Sequence, residues 1–422
     1  MELIELGTIL HMEKGKKPLS QVKEPTEGYL PYVDIKAFEQ GVIDNYASPE
    51  KSLLCEEGDL LIVGDGSRSG LTGRAIKGVV GSTLFKIYAD GVSTDYLRYF
   101  IESKYLLLNT KKKGTGTPHL NANILKESKI FVPSLEEQER IVARIEELFS
   151  DLDDAVKTLK ATQQQLNLYK QAVLKDAFEG KLTFSWRDKH HNENPRDDFE
   201  RIKRNNEVFK DTSGDENEIS LTMPKEWKKV RLGEVFEVQV GATPSRRVPE
   251  YWNGNINWVS SGEVHFNNIY STREQVTEDG ILHSSTNIHP IGTVMLAMIG
   301  EGKTRGQAAI LNTKAAHNQN TAAILVSETP CSSKYIYYFL LLNYENTRRV
   351  GSGNNQKALN KERVRALRFP FTSFKEQEEI VAEIESRLSV FDSIEQTIDC
   401  TLSQAEALRQ SILKQAFEGR LI

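Results

Sequence analysis

Cysteine is nearly absent from this sequence. Its 422 residues hold three, Cys55, Cys331 and Cys400. Three widely spaced cysteines exclude a disulfide framework and follow no metal-ligand spacing. They fit a reducing, cytoplasmic compartment. Long apolar runs are missing as well, none approaching the roughly 20 residues that a membrane-spanning helix needs. Thr293–Ile299 is short enough to be a buried strand instead. Met1-Glu-Leu-Ile-Glu5 offers no basic and apolar leader, so no secretory signal is expected. Catalytic signatures are equally scarce. No His-Glu-x-x-His, paired Cys-x-x-Cys or serine elbow occurs. No Asn-Pro-Pro-Tyr or Asp-Pro-Pro-Tyr occurs either, which an amino-methyltransferase needs to hold a flipped base. Gly302-Lys303-Thr304 resembles the end of a phosphate-binding loop, but Ala297 stands where its first glycine belongs. The sequence therefore predicts no catalytic residues, no metal site and no cofactor bound by this chain.

What is present is a repeat. The run from Leu135 to Leu182 recurs from Phe374 to Leu421 without a gap, at an offset of 239 residues, and 21 of the 48 aligned positions are identical. The flanking segments match more loosely. Leu6-Gly7 answers Leu232-Gly233, and Pro31-Tyr32-Val33 answers Asn257-Trp258-Val259. Gly58-Asp59-Leu60 answers Gly292-Thr293-Val294, and Gly64–Gly70 answers Gly300–Gly306. The order is domain, helix, linker, domain, helix, with boundaries at 1–132, 133–180, 181–225, 226–372 and 373–422.

Each repeated helix carries an apolar stripe on alternating steps of four and three. In the first it runs through Ile141, Ile145, Leu148, Leu152, Ala155, Leu159, Thr162, Leu166, Tyr169 and Val173. In the second it runs through Ile380, Ile384, Arg387, Phe391, Ile394, Ile398, Thr401, Ala405, Leu408 and Ile412. A 3.5-residue period held this long predicts a coiled coil, with the two helices pairing on each other. Gly180 and Gly419 fit the position just past a helix C-terminus. At 1.5 Å per residue each helix reaches roughly 65–70 Å. Between the helices, short runs such as Leu60–Val63, Thr83–Tyr88 and Thr321–Val326 alternate with Gly, Asn, Ser and Pro, and predict mainly β domains. Thr94–Leu108 and Ser333–Asn343 read as helices. The fold class is α+β: two mainly β domains and two long paired helices in a pseudo-twofold repeat. The connector reads as solvated loop around His190-His191 and Asp211–Asn217, with a helical turn or two between Phe199 and Phe209.

The net charge of −5 argues at face value against a polyanionic partner. The distribution reverses that argument. Segments 133–180 and 373–422 carry −4 and −5, segment 1–132 is balanced at 17 against 17, and 226–372 carries 17 basic against 12 acidic residues. Basic residues cluster beside Gly and small polar residues, a mixture that binds phosphates and reads base edges. Candidate DNA contacts are Arg68 in the first Gly-rich turn and Lys111, Lys112, Lys113, Thr115 and Thr117 in the run before His119. In the second copy they are Ser245, Arg246 and Arg247, then Lys303 and Arg305, then Arg348, Arg349, Asn354, Asn355, Gln356 and Lys357.

The ordered, duplicated motifs resemble the DNA-specificity subunits of type I restriction-modification systems. Their carriers are Pro133–Glu146 and Thr372–Glu385, and the helix ends Ala177-Phe-Glu-Gly180 and Ala416-Phe-Glu-Gly419. Met223-Pro-Lys-Glu-Trp227, Thr243-Pro-Ser245, Tyr251-Trp252, Ile256–Val259 and Gly306–Ile310 with Asn318-Gln319 are also similar. The first domain lacks the Pro-x-x-Trp segment that precedes the second. The resemblance implies two target-recognition domains that read the halves of a split double-stranded DNA target, held apart by an antiparallel helix pair. It also implies two methyltransferase subunits, which bring S-adenosylmethionine, and nuclease-translocase subunits, with the acidic helix faces as docking surface. The competing expectation is a coiled-coil interaction protein whose β domains bind protein or glycan.

Overall fold

The computed structural model describes residues 3–111, 118–190, 193–203, 219–300, 302–349 and 359–421, with Arg349 described by its backbone alone. The chain forms two compact units. The first joins Met1–Thr162 to Thr397–Ile422, and the second is Gln163–Gln396. Each unit thus takes part of both long helices, Leu135–Phe178 and Phe374–Phe417.

In the first unit an antiparallel sheet runs in the order Leu10–Lys14, Leu84–Ala89, Leu60–Val63, Thr72–Arg74. The second unit repeats it as Val238–Val240, Thr321–Ile324, Val294–Ala297, Ala308–Leu311, and adds Asn267–Ile269 in parallel. The central strands are apolar throughout because alternate side chains serve two cores. Leu60 and Ile62 join the cluster that holds Tyr96, Phe100 and Ile145, while Leu61 and Val63 join a second one with Val33 and Val80. Val294 and Leu296 face Tyr335 and Phe339, while Met295 and Ala297 face Val259 and Ala315. The run around Thr293–Ile299 is therefore the buried strand its length implied.

The 239-residue offset reappears as a repeated polar framework. Gln138, fully buried, accepts from Ser93 N at 2.8 Å and donates to Pro133 O at 3.0 Å. Gln377 accepts from Ser332 N at 3.2 Å and donates to Thr372 O at 3.0 Å. Tyr96 Oη donates to Phe131 O at 2.9 Å, and Tyr335 Oη to Pro370 O at 2.8 Å. Each glutamine ties the start of a long helix to the cap of a shorter one, Thr94–Ser103 or Ser333–Leu342. The first of these ends sooner than its sequence suggested: the Lys104 N–H turns back to Ile101 O at 2.9 Å, and Tyr105–Thr110 continues as a separate helix.

Both long helices end as the glycines predicted. Gly180 and Gly419 sit at φ 70° and 69°. Lys181 N reaches Asp176 O at 2.9 Å, and Arg420 N reaches Gln415 O at 2.9 Å, the six-to-one bond of a Schellman motif. Within each unit the helix segments run antiparallel. Lys170 Nζ bonds Asp392 at 2.9 Å and Glu395 at 2.7 Å in the second unit, and Arg409 bonds Asp153 at 2.5 Å in the first. Lys170 matches Arg409 and Asp153 matches Asp392 at the same offset of 239, so one ion pair is used twice.

The stripe needs correction on one flank. Ile394 and Leu408 are 37% and 50% exposed, and Tyr169 is 59% exposed. Ala155 and Arg387 also face solvent. The covered positions lie one residue later: Val156, Lys170, Leu388, Glu395 and Arg409. Apolarity alone selects the wrong neighbour, because Lys170 and Arg409 lay their aliphatic stems along the seam and carry their charges to carboxylates. Ile141, Ile145, Leu166, Ile380, Ile384, Ile398 and Ile412 are buried, and Leu148, Leu152, Leu159, Val173 and Phe391 are partly so.

The connector is more structured than a solvated loop. Phe184–Lys189 and Pro195–Ile202 are helices, and Phe199 is buried in the second unit's core. The carboxylate of Glu376, itself buried, accepts from Thr183 Oγ1 at 2.8 Å, Arg187 Nη1 at 2.5 Å and Trp227 Nε1 at 2.9 Å. The polar composition here satisfies one buried carboxylate. His191 and residues 204–218 lie outside the described residues. No helix among the described residues is long and apolar enough to cross a membrane.

Candidate nucleic-acid interface

In each unit a Gly-rich turn joins two antiparallel strands of the main sheet. In the first, Val63 N and Gly70 N bond Leu71 O and Val63 O, both at 2.8 Å. In the second, Ala297 N bonds Gln307 O at 2.9 Å and Gly306 N bonds Ala297 O at 2.8 Å. Gly70 therefore matches Gly306, while Gly64 matches Met298 and not Gly300; the second turn is two residues longer. It leads into the strand Ala308–Leu311 and not into a helix, so Gly302-Lys303-Thr304 lacks the context of a phosphate-binding loop. Both closing glycines have positive φ, 96° and 86°. A Cβ on Gly70 would meet Leu108 Cβ at 2.9 Å, and one on Gly306 would meet Thr347 Cβ at 3.4 Å. Glycine lets the helix Tyr105–Thr110 or Tyr344–Arg349 lie against its turn.

The two helices are laced to their turns by different side chains. Asn109 Nδ2 donates to Ser67 O at 3.0 Å and Ser69 O at 3.2 Å. In the second unit Tyr344 Oη donates to Lys303 O at 2.5 Å and accepts from Arg348 Nη1 at 2.7 Å. Arg305 Nη2 donates to Arg348 O at 2.8 Å. Two basic clusters separated by more than 40 residues in sequence, Lys303–Arg305 and Arg348–Arg349, thus share one edge. Lys303 and Arg348 have no carboxylate partner among the described residues. In the first unit Lys111, exposed, follows Asn109 by two residues. Lys112, Lys113, Thr115, Thr117, Asn354, Asn355, Gln356 and Lys357 lie outside the described residues.

Arg68 and Arg246 stand differently: each already has an acidic partner. Arg68 pairs with Glu39. Nearby, Asp65 accepts from His119 Nδ1 at 2.7 Å and Lys14 Nζ at 2.9 Å. Burial works to raise the Asp65 carboxyl, but these two hydrogen bonds hold it below its usual range. Arg246 makes a two-pronged contact with Glu274, one bond at 2.8 Å, and lies 4.0 Å above the Trp252 ring. That hydrogen bonding lowers the Glu274 carboxyl and raises the Arg246 guanidinium from their ordinary values. Arg246 is a brace for its loop, whereas the neighbouring Arg247 side chain is exposed. Trp252 Nε1 and Trp258 Nε1 donate to Ser245 O and Ala242 O, both at 3.3 Å. Gly241 lies so close to His317 that a Cβ there would sit 1.9 Å from its carbonyl oxygen. Thr243 Oγ1 then bonds Gln319 Oε1 at 2.7 Å.

Beneath this loop lie two histidines that no sequence motif marks. His289 and His317 are 2% and 0% exposed, with ring centroids 4.8 Å apart. Burial pushes His289 down to about 4 and, with His289 beside it, His317 down to about 3. Strand register matches His317 to Val80 and His289 to Cys55 in the first unit. The candidate site residues likewise omit Asn109, Tyr344, Gln138 and Gln377. The glutamines carried a signal, identity in both repeats, while the pairing of Asn109 and Tyr344 with their turns had none.

Comparison with known proteins gives one consistent picture. The family model described as type I restriction modification DNA specificity domain matches residues 1–167 and 224–403. The MjaVIII type I restriction enzyme specificity subunit of Methanocaldococcus jannaschii is 24% identical over 430 residues, covering 100% of this chain and 92% of that protein. A chain from a structure of type I R-M complex assembly and conformational transition superposes with a TM-score of 0.71 at 19% identity, covering 99% of this chain and 98% of that one. The HsdS subunit of Thermoanaerobacter tengcongensis gives 0.51 at 18% identity, covering 99% and 97%.

Proposed function

The chain belongs to the type I restriction modification DNA specificity domain family, and from that premise we propose that it is the DNA-recognition and scaffold subunit of a type I restriction-modification complex. Each unit reads one half of a split double-stranded target, and the paired helices set the spacing between the halves. The observation that carries this reading is the edge laced twice over: a Gly-rich turn, a helix bound to it, and basic residues gathered there. At that edge Lys303 and Arg348 meet no described carboxylate, so phosphate oxygens are the natural counter-charge. Recognition is this chain's share of the work. Methyl transfer, with S-adenosylmethionine, belongs to two methyltransferase subunits, and cleavage to restriction subunits. The acidic outer faces of the long helices fit docking of those partners, and the complex acts in the cytoplasm.

The test is duplex binding across a salt series, with the target first found by methylation-site sequencing of cells that express the complete system. The wild-type chain, with its methyltransferase subunit, binds with a steep negative dependence on salt. Arg348→Ala with Arg349→Ala weakens binding and flattens the log–log slope by about two, roughly 0.9 for each phosphate no longer neutralised. Wild-type binding that ignores salt would sink the proposal.

A further inference from the structure

We propose that Tyr344 is a positioning residue for DNA binding, the hydroxyl through which two basic clusters act as one. The inference rests on the DNA reading above and adds a residue that the basic motifs do not contain. Its ground is the direction of three hydrogen bonds. The Tyr344 hydroxyl has a single proton, and the Lys303 carbonyl oxygen takes it at 2.5 Å. The hydroxyl oxygen's lone pair is then free to accept from Arg348 Nη1 at 2.7 Å. Arg305 Nη2 closes the circuit on Arg348 O at 2.8 Å. Each basic cluster therefore offers a backbone carbonyl to a side chain of the other helix or turn.

This arrangement opposes simple electrostatics. Lys303, Arg305 and Arg348 are held on one edge, where like charges repel. The structure sets no described carboxylate on Lys303 or Arg348, although it supplies Glu274 to Arg246 and Glu39 to Arg68. A polyanion that meets these cations together relieves the repulsion, and the tyrosine keeps them together before it arrives. The Arg348 guanidinium also lies 5.3 Å from the Tyr344 ring centroid, so the ring guides it as well as the hydroxyl. Tyr344 is in turn anchored edge-on by Phe266, ring centroids 5.1 Å apart, and by the close approach of Gly306, whose Cβ would sit 3.4 Å from the tyrosine ring. Phe266 holds a positive φ of 58° and donates its N–H to Ala308 O at 2.8 Å, so the anchor belongs to the sheet. In the first unit the position matching Arg348 is Asn109, and its side chain performs the lacing alone.

The test compares Tyr344→Phe, Arg348→Ala and the double variant of the full chain, bound to the methyltransferase subunit. The probes are the mapped target duplex and the same duplex with one or the other half-site scrambled. Tyr344→Phe keeps the ring and its packing on Phe266, and loses only the hydroxyl. It should bind the target about ten-fold more weakly, the loss of one hydrogen bond to a charged group. Its salt slope should stay at the wild-type value, whereas Arg348→Ala lowers the slope by about one. The double variant should bind no more weakly than Arg348→Ala. The loss should be similar on the scrambled duplexes, because phosphate contacts do not depend on base sequence, and an unchanged urea-unfolding midpoint for Tyr344→Phe separates it from general destabilisation. Wild-type affinity for Tyr344→Phe, with Arg348→Ala impaired, overturns the inference and leaves the DNA reading intact. A reduced salt slope for Tyr344→Phe overturns it too, since the tyrosine would then touch phosphate itself. Additive losses in the double variant also overturn it. No duplex binding by the wild-type complex removes the DNA reading as well.

Discussion

Single buried polar residues show where this sequence departs from a simple apolar core. His317 Nδ1 lies 2.8 Å from Thr321 Oγ1, whose own proton has the Asn318 carbonyl oxygen at 3.1 Å as its acceptor. This fixes the His317 proton on Nδ1 and leaves Nε2 an acceptor. The pair is neutral in the native state because His289 and His317 are pushed down to about 4 and about 3, against 6.5 for a solvated imidazole. An unfolded chain takes up protons at these histidines once the pH falls below about 6.5, and the folded chain does not. The sign follows from linkage. Their contribution is fully present above pH 6.5 and is lost as pH falls, at up to about 1.4 kcal/mol per pH unit for each histidine, until the native values near 4 and 3 are reached. His317→Val, which installs the residue of the first unit's matching site, should flatten the acid limb of the melting temperature between pH 6.5 and 4. An unchanged acid limb would assign the loss to other groups. The same pair illustrates what a sequence conceals. Neither histidine stands in a motif, and only strand register shows that Cys55 and Val80 fill these places in the other repeat.

At the scale of elements, the long helices were the most legible part of the chain. Their period, their length and their terminal glycines all carried over, because each is local chemistry: a heptad stripe, helix-forming residues, and a φ near 70° at Gly180 and Gly419. The inner flank of the stripe was not legible. Lys170 and Arg409 are polar by composition and buried along their stems, and the acids that complete them lie over 200 residues away. A pair of substitutions separates the two flanks. Ile412 is 6% exposed and packs with Ile141 and Ile145, so Ile412→Ala should cost about 2–5 kcal/mol of first-unit stability in urea unfolding. Leu408→Ala, at a site 50% exposed, should cost less than about 1 kcal/mol. Equal costs would restore the stripe drawn through Leu408. The strands were legible by a different route. Leu60–Val63 is apolar on both faces because it serves two cores, and such a run is short and bounded by turn residues. The basic loops were legible as composition only. Nothing in Lys303 or Arg348 marks that a tyrosine joins them, or that Glu274 takes up Arg246.

For the molecule as a whole, duplication is the organising fact, and it makes the helices the element with the least freedom to vary alone. Gln138 and Gln377, Tyr96 and Tyr335, and the Lys170–Asp392 and Arg409–Asp153 pairs each occur twice at one offset. A change made in one long helix therefore misplaces the pairs it makes with the other unless the other changes equally. On the proposed function this gives a quantitative consequence. Deleting one heptad from each helix at matched positions, Leu152–Thr158 and Phe391–Thr397, removes about 10 Å from each helix. It also takes away Asp153 with Asp392, but Asp399 then moves into the place of Asp392 opposite Lys170, and Lys160→Asp restores the acid opposite Arg409. The methylated target should then keep both half-site sequences and lose about three base pairs of the spacer between them, since one turn of B-DNA spans 34–36 Å over 10–10.5 base pairs. Deleting the heptad from one helix only should abolish modification, because the antiparallel register no longer closes. Methylation-site sequencing of cells that carry each deletion reads both outcomes directly. A modified target with its original spacer would mean that the helices do not set the separation, whatever their length.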